Sequence, residues 1–412
     1  MKHRPEPSKH LHDDPLDLNY IESLRENVMD PIIDHWFRAS LHGAETLPMS
    51  GPIILASNHS GNAFPHDALV LDALLWRNDG NKHERKFRSV YSPKLARTWL
   101  MRLFGIDNFW RRCGAVDMTY YNFRELIKHG ERIVYYPEGI PGIGKGFNRR
   151  YQLQPFSRSF VMLAAEHDVP VYPVYTVNAE WVNPTSFTIP WLDKWVDRLT
   201  GIPFFPIPAA LIAILFPFFF YFGFPCKMKF FVGEPLPIRD WLRDAGFKDG
   251  AKPTRSQADK AAEMARRSMQ QKLDTLVREH GQKPYDLPDL IRSIRNIPGR
   301  AWPVIGPGWP YAFVRHERDL VRGPARNKMH KWLRDVDLLA YYLPLLGWPI
   351  IALLRGVRKP PYGYRGLTKP EKRKRQGGYL WSLVQLPLIP RALRFKLPKT
   401  THGDDAAQDP TS

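Results

Sequence analysis

Asn58-His59-Ser60-Gly61, followed by Asp67, is the combination in this chain best suited to moving a proton. An imidazole near its neutral pKa can take a proton from an attacking hydroxyl, and a carboxylate beside it can hold its tautomer and stabilise the imidazolium that forms. No serine or cysteine in a Gly-rich elbow accompanies the pair. The pattern therefore points to His59 deprotonating the substrate's own hydroxyl, without an enzyme-bound nucleophile. Two plainer readings stand beside this one. Asp67 can be a helix N-cap only, and His59 a loop histidine only.

The elements around the pair predict where it sits. Gly51-Pro52-Ile53-Ile54-Leu55-Ala56-Ser57 is a short apolar run bounded by a turn, and predicts a buried strand. Residues 67–75 predict a helix packed on the sheet. Further strands are expected at 87–91, 113–116, 132–136, 169–175 and 227–233. Helices are expected at 94–103, 120–129 (closed by Gly130), 157–167 and 256–280. This alternation predicts an α/β fold with a mostly parallel central sheet flanked by helices, and chemistry at the strand ends.

The chain has 412 residues and a formal charge of +19, from 60 basic and 41 acidic side chains. Such an excess implies an anionic partner. Aromatic content of 13% and 39 prolines favour a lipid interface over a nucleic-acid groove. No RNA-binding or zinc-finger signature is present, so nucleic acid is not an expected partner. Cys113 and Cys226 are too few for a disulfide framework, suit a reducing compartment, and imply no cysteine-based metal site. The start, Met1-Lys2-His3-Arg4-Pro5, lacks the apolar core of a cleaved signal. The expectation is a monotopic or peripheral protein on the cytoplasmic face of a membrane.

Three regions follow: a polar tail at 1–19, a main domain at 20–280, and a basic and apolar C-terminal extension at 281–412 with a loose tail at 399–412. Residues 20–41 carry a helical pattern that Gly43 ends. Residues 199–226 are uncharged and long enough to span a bilayer, but five prolines break them. They suit a helix or loop lying in one leaflet or lining a lipid channel, with a buried insertion or a true span as the alternatives. Residues 338–354 are again uncharged and suit an interfacial hairpin. The cluster Lys372-Arg373-Lys374-Arg375 precedes another apolar patch at 379–393, a pairing suited to an anionic leaflet or to a solvated surface.

The strand at 132–136 runs straight into Pro137-Glu138-Gly139, well after the His59 and Asp67 pair. This order, continued by Val169-Pro170-Val171-Tyr172-Pro173-Val174 and Gly233-Glu234-Pro235-Leu236-Pro237, resembles the lysophospholipid and glycerolipid acyltransferase superfamily over about residues 40–240. Lys145 and the segment 150–156 resemble its monoacylglycerol and diacylglycerol acyltransferase-like branch. Seven residues lie between His59 and Asp67 where the family usually has four, as in its branch with a longer Ser-Gly loop. His66 is an alternative to His59. The family's second-motif arginine is absent from 114–118, although Arg111 and Arg112 lie just upstream.

The resemblance implies transfer of a fatty acyl group from acyl-CoA or an acyl carrier protein to a lipid hydroxyl. His59 would be the base and Asp67 its orienting partner, with no metal and no cofactor beyond the thioester donor. Asn58, Ser60 and Gly61 would contact substrate, with backbone N–H groups near Ser60 and Gly61 meeting the oxyanion. Pro137, Glu138 and Gly139 would line the acceptor site; Glu138 can equally be a turn residue bonded to backbone N–H groups. Lys145, Arg149 and Arg150 would meet a phosphate of acceptor or donor, or form a solvated face. A thioesterase on the same fold and a non-catalytic membrane scaffold are the rival readings.

Overall fold

A computed structural model describes residues 16–60, 64–79, 87–92, 109–200, 204–248, 251–299, 305–323 and 326–357. The strands are β1 Ser40–His42, β2 Ile53–Ser57, β3 Phe87–Tyr91, β4 Val116–Asp117, β5 Arg132–Tyr135, β6 Val171–Val177, β7 Ser186–Phe187, β8 Ile207–Pro208 and β9 Lys229–Val232. Among the described residues, seven of them form one sheet in the order β1-β9-β6-β2-β5-β3-β4, while β7 and β8 pair as a separate ribbon. All pairings in the main sheet are parallel except that of β6 with β9. The sequence reading of a mostly parallel α/β sheet is the fold observed.

β2 lies at the centre, between β5 and β6, and is buried along its whole length. That is why its sequence is a continuous apolar run rather than an alternating one. Ile53 and Leu55 face one core while Ile54 and Ala56 face the other. β2 pairs with β5 in the register Ala56 to Tyr135, so the two parallel strands end side by side. The loops that follow them, beginning at Asn58 and at Tyr136, therefore emerge together.

The helices are α1 Leu18–Leu24, α2 His66–Asn78, α3 Phe109–Arg112, α4 Tyr120–Lys128, α5 Gly139–Ile143, α6 Ser159–His167, α7 Pro190–Thr200, α8 Ala209–Leu215, α9 Ile238–Asp244, α10 Arg255–His280, α11 Leu287–Arg295, α12 Trp309–Arg322, α13 Lys328–Asp335 and α14 Gly347–Val357. α4, α6, α9 and α10 cover one face of the sheet. α10 buries Ala258, Ala261, Ala262 and Ala265, and this small-residue seam lets a long helix lie close to its neighbours. Its start is set by a capping box between Thr254 and Gln257. On the other face, Leu24, Val28 and Ile33 share a core with Leu71 of α2, Phe313 of α12, and Leu338 and Tyr341. The described part of the C-terminal extension is thus packed into the same core as the first helix.

Several expectations are corrected. The helix anticipated over 20–41 ends at Trp36, and residues 40–42 are strand β1 instead. The path from α1 widens into π-helical turns at Arg25–Met29 and Ile32–Trp36, on either side of Pro31, which has no N–H to give. Arg38 then adopts φ of 43° and turns the chain toward β9. Cys113 is not in a strand: its N–H bonds Phe109 at the end of α3, and the strand is Val116–Asp117. The described residues of 199–226 contain no long helix beyond the end of α7. The longest described piece is the seven-residue α8, followed by a 3₁₀ turn at Pro217–Phe220. Among the described residues no helix is long and apolar enough to cross a membrane. The helix expected at 94–103, the basic cluster at 372–375 and the apolar patch at 379–393 lie outside the described residues.

Candidate active site

His59 leaves the end of β2, and its ring Nδ1 lies 3.0 Å from Oδ2 of Asp67. Asp67 stands in the first turn of α2 and is fully buried. The same Oδ2 accepts the backbone N–H of Ser60 at 2.9 Å, which closes the loop onto the helix. Burial pushes the Asp67 carboxyl up, but the adjoining His59 and the N–H groups of Ser60 and Ala68 outweigh it and hold the carboxyl below its ordinary value. An ionised Asp67 fixes the proton of His59 on Nδ1 and leaves the Nε2 lone pair free to act as a base. Among the described residues no group bonds Nε2.

Three further contacts hold His59 and the strand end that carries it. The Tyr136 ring stacks on it, with centroids 3.9 Å apart and planes 14° from parallel. Asn58 bonds both backbone groups of Thr176 on β6, accepting N–H at 2.7 Å and donating to C=O at 3.2 Å. Glu138, at the end of β5, accepts the backbone N–H of His59 on Oε1 at 2.8 Å. Its Oε2 accepts the N–H of Gln154 at 2.7 Å and lies 3.4 Å from Nζ of Lys145.

The other residues singled out in the sequence lie around this pair. Glu138 is buried and accepts two backbone N–H groups. Lys145 is fully buried and faces Glu138 and the carbonyl of Gln152, so its charge meets its own chain. Arg149 donates to Thr188 Oγ1 at 2.8 Å, and exposed Arg150 lies over the Phe147 ring at 4.8 Å. The carbonyl of Pro137 accepts the Ser157 N–H at 2.8 Å. Gly139 has φ of 56°, a conformation that suits glycine, at the start of α5. Gly61 lies outside the described residues. His66, the alternative base, is buried with Nε2 2.9 Å from the Tyr221 carbonyl.

Sequence reasoning missed three contributors. Gly142 admits no side chain: a Cβ there would stand 2.5 Å from Cβ of Glu138 and 3.0 Å from Cβ of His59. Glu180, fully buried after β6, accepts the Tyr151 N–H at 3.2 Å, and burial pushes its carboxyl up to about 7. An apolar pocket also adjoins the loop, lined by Phe64, Leu69, Tyr221, Trp309, Phe313 and Tyr341. No local signal marks these groups, since each acquires its role by a contact distant in sequence.

Residues 38–177, from just before β1 to the end of β6, match the sequence model of the family described as Acyltransferase. Over that span the chain is similar to the Acyltransferase family. The matched span contains His59, Asp67 and Glu138. Uncharacterized proteins of Mycobacterium tuberculosis (strain ATCC 25618 / H37Rv) and Mycobacterium leprae (strain TN) are 30% and 29% identical to the chain over 211 residues. Each alignment covers 50% of this chain, and 54% and 53% of the respective relative. The chain thus spans about half the length of the curated relatives it matches. A solved structure of the 1-acyl-sn-glycerophosphate (LPA) acyltransferase PlsC from Thermotoga maritima aligns with a TM-score of 0.36 and 15% identity, over 64% of this chain and 81% of that one.

Proposed function

We propose that this protein is an acyltransferase that uses His59 and Asp67 to move a fatty acyl group from acyl-CoA or an acyl carrier protein to the hydroxyl of a lysophospholipid or other glycerolipid. The observation that carries the reading is the 3.0 Å contact of His59 Nδ1 with Asp67, whose Oδ2 is also held by Ser60. Nε2 takes the acceptor's hydroxyl proton as the oxygen attacks the thioester carbonyl. The tetrahedral oxyanion then collapses, the C–S bond breaks, and the thiolate leaves with the proton from the imidazolium. A positioned base supplies about 10²–10⁴-fold; the remainder comes from holding donor and acceptor together and from stabilising the oxyanion. The scheme uses the thioester as substrate and calls on no metal. The apolar and basic character of the chain supports work at a membrane surface facing the cytoplasm.

The test is acyl transfer by the reconstituted full chain, offering labelled acyl-CoA or acyl carrier protein to lysophospholipids, glycerol-3-phosphate, mono- and diacylglycerol. A labelled lipid that disappears with His59→Ala is the expected result and names the acceptor. Free fatty acid as the sole product would replace the reading with a thioesterase. Lipid product undiminished in His59→Ala would remove His59 from the mechanism.

A further inference from the structure

Two apolar segments far apart in sequence are joined in the fold. The Leu345 N–H donates to the Leu215 carbonyl at 2.8 Å, and Trp348 Nε1 donates to the Ala213 carbonyl at 2.9 Å. The Phe218 and Tyr342 rings stack at 5.3 Å between them. The joined unit leaves Leu211, Ile214 and Leu215 of α8 exposed beside Leu343, Leu345 and Leu346, which precede α14. Two further helices also carry apolar side chains on their outer faces. α7 exposes Trp191, Lys194, Trp195 and Arg198, which share one helical face, with the tryptophans 69% and 56% accessible. It is tied to the chain entering α8 by Asp193 Oδ1, which accepts the Phe205 N–H at 2.7 Å. α13, which leads directly into the turn at Val336–Tyr342, exposes Met329, Trp332 and Leu333 beside Lys328.

An amphipathic helix of a soluble fold points its apolar stripe at the core. Here large apolar side chains face outward as well, Trp191 and Trp195 on α7 and Met329, Trp332 and Leu333 on α13, and outward apolar patches of this kind mark interaction surfaces. The chemistry selects the partner. Tryptophan rings suit the level of lipid headgroups, and lysines and arginines beside them suit lipid phosphates. The core of a protein interface is instead depleted of lysine. The chain's charge of +19 favours an anionic surface. Tyr221 and Tyr341, within the two joined segments, also line the apolar pocket that reaches Phe64.

We propose that α7, α8, α13 and the 343–346 turn form one docking face for an anionic bilayer. The leucines seat at the boundary between headgroups and acyl chains, and the cations of α7 and α13 meet phosphate. No helix crosses the membrane through this face. The inference deepens the acyl-transfer reading by naming the surface that brings the pocket to lipid, and its test is independent of turnover.

Flotation of the full chain with phosphatidylcholine vesicles, with and without phosphatidylglycerol, tests it. The wild type is expected to float with the anionic vesicles. Trp191→Ala/Trp195→Ala and Leu345→Glu/Leu346→Glu are each expected to weaken binding about tenfold, with circular dichroism unchanged. Lys194→Ala/Arg198→Ala, a mild surface change, is expected to reduce the preference for the anionic lipid. In the same assay His59→Ala is expected to float like the wild type, which separates docking from chemistry. Flotation unaffected by all three paired variants would overturn the proposal. So would variants that float normally but, by analytical ultracentrifugation, break up a wild-type oligomer, since the face would then bind a second copy of the chain.

Discussion

Glu138 Oε1 accepts the backbone N–H of His59 at 2.8 Å, a bond between the ends of two adjacent parallel strands. The carboxylate bonds the backbone of the histidine, while the imidazole itself answers to Asp67 and Tyr136. The backbone and the imidazole of His59 are therefore held by different carboxylates.

Glu138→Ala removes this clamp and leaves Lys145 buried without its carboxylate. Breaking a buried pair from one side costs about 3–5 kcal/mol, so the variant is expected to lose stability in urea and to lose turnover. Glu138→Gln/Lys145→Met removes both charges and is expected to recover much of the stability. Additive losses in this double-mutant cycle would show that the two side chains are not coupled.

Asp67→Asn keeps the shape of the site but no longer dictates the tautomer of His59. Turnover is expected to fall about 10²–10⁴-fold with a smaller change in KM. The carboxyl of Asp67 lies below its ordinary value in the fold. Its contribution to stability is therefore complete above the unfolded carboxylate range, near pH 4, and is lost as pH falls through the folded value. Acid unfolding of the wild type and of Asp67→Asn should converge at low pH. An unchanged separation down to the most acid pH would contradict the assigned shift.

Gly142→Ala places a methyl against both Glu138 and His59. Overpacking of this kind costs about 1–3 kcal/mol, and here it is expected to lower kcat as well, because the methyl crowds Glu138 most closely and His59 next. Gly139→Ala meets no atom within 4 Å but must hold φ of 56°. It is expected to cost about 1–2 kcal/mol in stability with kcat largely kept. Calorimetry and steady-state kinetics on the two variants separate crowding from backbone strain.

Glu180 is held up to about 7 by burial, although Lys145 and the Tyr151 N–H pull it down. A carboxyl raised in the fold binds its proton more tightly there than in the unfolded chain. Stability should therefore fall as pH rises between about 4.5 and 7. Glu180→Gln is expected to flatten that slope and to be the more stable form at pH 8 by about 3 kcal/mol. Equal pH slopes in wild type and variant would exclude a raised carboxyl.

The sequence by itself determined the elements whose signals are local. β2 is legible because a strand buried on both faces needs five consecutive residues without charge, and Ile53–Ser57 supply them. α10 is legible from its alanine-containing apolar seam, while the Thr254 cap that sets its start came from the structure. The pairing of His59 with Asp67 is readable because only a short loop separates them. Tertiary structure decided the rest. Ser40–His42 becomes a strand because Lys229–Phe231 offers it an edge, against the helical pattern that precedes it. Glu138 becomes a clamp because β5 ends beside β2, which brings its carboxylate to a backbone N–H 79 residues away. Lys145 loses its freedom to that same carboxylate. Charge and apolar periodicity are written in neighbouring residues, but a buried donor's partner is set by whichever strand end packs against it.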